Sequence, residues 1–166
     1  MAIKKPLTAD SKVQEPLALS KSATEEEIIT HIESFVTSAI IAINTRHFDP
    51  SLPPCTSISQ DVSMPGIGFR QAAKSRVEYV DGFRKLAASY PRFEIEPLKM
   101  ESYVLLEAGY AEVYLTAQSF GGPTLATGLK RKAVGRHEFR RVDGVWLMVG
   151  ETTFLGIGDG GAVFEM

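Results

Sequence analysis

Three histidines, His31, His47 and His137, are the side chains of this sequence best suited to moving a proton near neutral pH. Their spacing separates them. Within 126–142, Lys130, Lys132, Arg136, Glu138 and Arg140 alternate with Leu129, Ala133, Gly135, His137 and Phe139. That two-residue period describes a strand with one wet and one dry face, and it puts His137 on the dry one. An imidazole there either serves as a general acid or base or sits in the core hydrogen-bonded to a neighbour. Gly135 and Ala133 leave space beside it, which speaks for the first. His31 shares a helix side with Glu27, Ser34 and Ser38 and reads as a surface residue. His47 continues the spacing of Ile40 and Ile43, toward the floor of any hollow beneath them.

Other polar groups are placed less firmly. Tyr79 lies one helical step from the stripe Val77, Val80, Phe83 and Ala87, so its phenol can enter the interior or stop at the rim. Gln60 has the inward parity of the short strand around 57–64, and Asp61 the outward one. Glu112 and Tyr114 belong to the polar face of 109–120. Glu151 falls in 145–155, which is apolar on both faces and gives it no side.

Several chemistries are excluded. No His, Cys and carboxylate spacing suits a metal, and no serine stands in a nucleophile elbow. Gly156, Gly158, Gly160 and Gly161 follow a strand, but no phosphate-binding helix can follow in the residues that remain. Lys130, Arg131 and Lys132 with Arg136 and Arg140 read as a solvated strand face.

The elements that must position these residues are legible in the same way. Thr24 and Glu27 form a capping box before a helix with Ile28, Ile32, Phe35, Val36, Ala39, Ile40 and Ile43 inward, ending before Asp49-Pro50. Residues 49–56 are a proline-rich crossing, and a short strand follows at 57–64. Ser75 and Glu78 make a second capping box for a helix through Ser89. Four strands are expected at 92–104, 109–120, 126–142 and 145–155, with turns at Gly121-Gly122-Pro123 and Asp143-Gly144. A last strand apolar on both faces calls for a partner on its outer side, and a homodimer through that face is expected.

The chain has 166 residues, 44% of them hydrophobic, and a formal charge of −2, which suits one soluble domain and not a nucleic-acid binder. A lone Cys55, no apolar run long enough for a membrane and no secretory pattern point to the cytoplasm. Residues 1–22 read as a flexible tail, 23–157 as the domain and 158–166 as a glycine-rich tail.

The segments SRVEYVDGFRKLAASYPRFEIEP and GRHEFRRVDGVWLMVGETTF, with NTRHFD at 44–49, resemble the nuclear transport factor 2-like superfamily, in particular its SnoaL-like enzymes. The resemblance implies an α+β fold, a curved antiparallel sheet wrapped around helices to form a conical pocket. It implies a cofactor-free cyclase, isomerase or dehydratase of a polyketide or terpenoid intermediate in secondary metabolism, or else a binding or dimerisation module of the same shape. It places the pocket wall at Phe35, Ile40, Gln60, Met64, Phe83, Val113, Leu115 and Phe139. His137 would move the proton, and Asn44, Tyr79 or Gln60 would polarise a carbonyl or hydroxyl. Two carboxylate bases of the superfamily are missing: Met64-Pro65 and Asn44 occupy their places.

Overall fold

In the computed structural model, which describes residue 19 and residues 22–67, 69–123 and 129–158, helix α1 spans Glu25–Asn44. The expected capping box starts it: the Thr24 hydroxyl accepts from the Glu27 N–H, and the Glu27 carboxylate accepts from the Thr24 N–H at 2.7 Å. Ile28, Ile32, Phe35, Val36 and Ile40 are buried as one stripe. The helix stops well short of Pro50. Arg46 turns the chain with φ 65° and donates from its guanidinium to the carbonyls of Ile43, Pro91 and Phe93.

A short 3-10 turn, Cys55–Ser57, leads into β1 (Ile58–Ser63). Helix α2 spans Arg76–Ser89. Its capping box is half formed, since Glu78 accepts from the Lys74 N–H instead of from Ser75. Tyr79, Val80, Phe83, Leu86 and Ala87 are its buried face. Val77, expected among them, is 60% exposed; it lies roughly a third of a turn from the centre of that face.

Strands β2 (Glu94–Leu105), β3 (Tyr110–Phe120), β4 (Lys130–Val142) and β5 (Val145–Gly158) form the expected antiparallel meander. The sheet order is β1-β5-β4-β3-β2, with β1 parallel to β5, so the sheet is mixed and stays open. Asp143 and Gly144, with φ 49° and 82°, make the tight turn from β4 to β5. One sheet face takes the helices: Ala111, Val113, Phe139, Trp146 and Met148 are buried there, and the Phe35 ring meets Phe139 edge-on at 5.7 Å. This is the α+β arrangement read from the sequence.

One irregularity matters for the site. Phe139 pairs with Met148 while Glu138 pairs with Gly150, which leaves Val149 as an extra residue. Such a bulge switches which side chains face inward. Before it Trp146 and Met148 are inside; after it Glu151, Thr153 and Leu155 are.

The tails expected at 1–22 and 158–166 fall outside the described residues, apart from 19, 22 and 158; Leu19 packs against the core. Among the described residues no helix is long and apolar enough to cross a membrane.

Candidate active site

Between the two helices and the inner sheet face lies a hollow of about 790 Å³, open solvent at its mouth included. Its wall is almost wholly apolar, from Ile40 and Ile43 of α1, Phe83 and Leu86 of α2, and Leu115 and Ala117 of β3. A small hairpin, bridged at Met64–Ala73 and at Ile67–Arg70, adds Ile67, Phe69 and Arg70.

Five polar side chains meet in this setting. Arg70 donates from Nη2 to Glu151 Oε1 at 2.9 Å, and both side chains are about 5% exposed. The Tyr79 hydroxyl donates to Glu151 Oε2, and Thr153 donates to Oε1 at 3.1 Å. The Arg70 guanidinium also rests on the Phe83 ring, 4.2 Å from its centre. His137 is directly across the ladder from Glu151 and from Val113. Its imidazole leans over Gly135, where a Cβ would come within 3.1 Å of Nε2. Both ring nitrogens are buried, and neither has a hydrogen-bond partner among the described residues.

The electrostatics follow from burial. Removal from water lowers the His137 pKa below 6.5; Glu151 opposes that shift and Arg70 adds to it, so the ring is neutral at pH 7. Burial pushes the Glu151 carboxyl up, but Arg70, His137 and the Tyr79 hydrogen bond outweigh it and hold it at about 2. Burial, then the Glu151 charge, push the Tyr79 phenol well above its usual range. Glu151 is therefore an anchored anion and no proton acceptor. His137 is a neutral base in an apolar cleft.

Of the residues singled out in the sequence, His137, Tyr79, Ile40, Phe83 and Leu115 line the hollow. Phe35, Met64, Val113 and Phe139 do not; they are buried in the core behind it, because α1 packs Phe35 onto β4 and fills that end. Gln60 is exposed although Ile58 and Val62, two residues to either side of it, are buried; the β1 pairing shifts register between Ile58 and Ser63. Asn44 is spent on structure: its amide donates to the Ile95 carbonyl at 2.8 Å and accepts from the Ile95 N–H at 2.9 Å. Tyr79 has committed its proton to Glu151 and cannot polarise a substrate with it. His47 is exposed, bonded at Nδ1 to the Thr45 hydroxyl at 2.7 Å, and borders a separate smaller hollow. His31 is half-buried on α1, away from the site. Arg131, grouped above with a solvated face, is 4% exposed and points inward. Glu112 and Tyr114 lie on the outer face, tied to each other and to Arg136.

The sequence reading does not single out Arg70, and it leaves Glu151 without a side. Arg70 sits in an aperiodic stretch, where a single cation between Phe69 and Ala73 was the available signal. Glu151 is hidden by the bulge at Val149.

No family model and no curated protein matches the sequence. The fold does have counterparts among solved structures. An NTF2-like protein from Pseudomonas putida KT2440 matches with a TM-score of 0.65 at 12% identity, over 87% of this chain and 99% of that one. A protein with a cystatin-like fold from Caulobacter vibrioides matches with a TM-score of 0.65 at 12% identity, over 78% and 89%. A putative scytalone dehydratase from Novosphingobium aromaticivorans matches with a TM-score of 0.61 at 12% identity, over 82% and 89%. The chain therefore has the NTF2-like cone fold, as its sequence resemblance implied.

Proposed function

We propose that this protein is a cofactor-free acid/base enzyme acting on an apolar, oxygenated metabolite, a polyketide or terpenoid intermediate of secondary metabolism, as a cyclase, isomerase or dehydratase. One observation carries the reading: a neutral imidazole with both nitrogens unpartnered, among the described residues, in an apolar cavity. Leaving two buried polar atoms without a hydrogen-bond partner costs about 1–3 kcal/mol each, a cost a substrate would relieve. Structures of similar fold carry names for reactions that move protons: a putative dehydratase, a dehydrochlorinase and a putative ketosteroid isomerase.

In the proposed reaction His137 takes a proton from a C–H beside a carbonyl, breaking that bond and leaving an enolate. Arg70, whose Nε is buried without a partner among the described residues, donates to the enolate oxygen. Glu151 holds Arg70 in place. His137 then returns the proton, to another carbon for isomerisation or to a departing hydroxyl for loss of water. The proposal extends to a cytoplasmic homodimer through the outer sheet face; the exposure of Tyr103, Val134 and Phe154 there, at 60%, 36% and 57%, supports the dimer.

The test is exchange of the α-protons of β-tetralone in heavy water, followed by proton NMR. The wild type should accelerate exchange, and His137→Ala should lose about 100-fold of that acceleration. Equal rates in the two proteins would leave the rival reading, a ligand-binding module, which the saturated Glu151 carboxylate favours.

A further inference from the structure

The charged groups lining the cavity cancel. The hairpin contributes Arg70, α2 contributes Tyr79, β4 contributes His137 and β5 contributes Glu151; α1, β2 and β3 contribute no ionisable side chain to the described wall. Arg70 and Glu151 are paired at 2.9 Å, both all but removed from water. The remaining polar wall, Gln118, Ser119 and Thr153, is uncharged.

We infer that the cavity selects an uncharged ligand, a ketone, lactone or ketol with no carboxylate or phosphate, and that the Arg70–Glu151 pair is the device that sets this selectivity. A lone buried arginine would invite an anion, whereas here the protein supplies the counter-ion itself. An anionic ligand would have to displace a carboxylate held by Arg70, Tyr79 and Thr153, or be buried with no counter-charge. A neutral ligand pays neither penalty. It meets the donors left over: the Arg70 Nε–H and whichever His137 nitrogen carries the proton. The inference narrows the substrate class of the proposed reaction and rests on the same cavity, but it concerns binding and not turnover.

The experiment compares methyl naphthyl ketone with naphthoate, matched in skeleton and different in charge, by quenching of the naphthyl fluorescence at pH 7.5. Wild-type protein should bind the ketone at least about tenfold more tightly than the carboxylate. Glu151→Gln, which strips the counter-ion from Arg70 in a side chain of similar shape, should reverse the order. Arg70→Met combined with Glu151→Gln removes both charges and should restore preference for the ketone. Naphthoate bound as well as the ketone by wild type, no binding of either probe, or a ratio that Glu151→Gln leaves unchanged would each overturn the inference. The wild-type comparison stands even if a variant does not fold. Ketone preference without any tetralone exchange would uphold the selectivity while rejecting the enzyme.

Discussion

His137 gains its chemistry from what surrounds it. Gly135 beside it leaves room for the ring to tilt, and Glu151 across the ladder lends charge without bonding to it. Asn44 shows the opposite case: a side chain with the right chemistry whose every polar atom is already used. Asn44→Ala should cost about 1–3 kcal/mol in urea unfolding, because it strands the Ile95 amide and carbonyl, while leaving tetralone exchange at the wild-type rate. A large fall in exchange with stability intact would return Asn44 to the site. His137 was legible because a strand of plain alternation, Ala133 to Phe139, announces which side chains share a face. The structural use of Asn44 was not legible, because the identity of an amide says nothing about whether its bonds are free.

The elements were legible where local chemistry determines them. Thr24 caps α1, Ser75 caps α2, and Asp143-Gly144 turns the chain between β4 and β5, each as its residues dictate. What stayed hidden depends on pairing. The extra residue at Val149 is visible only once β5 lies against β4, and it moves Glu151 from an undecided position to the centre of the site. Gly121 carries a similar tertiary demand. It has φ 69°, and a Cβ there would run into the Arg92 carbonyl oxygen. Gly121→Ala should therefore destabilise the fold by about 2–4 kcal/mol, read as a lower urea midpoint. A change under about 0.5 kcal/mol would mean that the β3 end and the start of β2 are not packed as described.

At the scale of the molecule, a five-stranded sheet packs on two helices with an apolar hollow between them, and stability should carry the mark of that hollow. His137 and His31 have folded pKa values lowered from 6.5 by burial, so the unfolded chain binds more protons than the folded one as pH drops through 6.5. Stability is thus complete above that value and falls below it. Glu151, moved from 4.5 to about 2, adds a second loss as pH drops from about 4.5 toward 2. The melting temperature should decline in two stages on acidification, and His137→Gln should weaken the first. A melting temperature unchanged between pH 7 and pH 5 would contradict the burial of the imidazole.

The neutral, buried state of His137 is best examined by following its ring resonances through a pH titration while measuring tetralone exchange on the same samples. The expected result is a midpoint below 6.5, with the exchange rate rising with pH along the same curve as the ring loses its proton. A midpoint at or above 6.5, or an exchange rate indifferent to the charge on that ring, would contradict it.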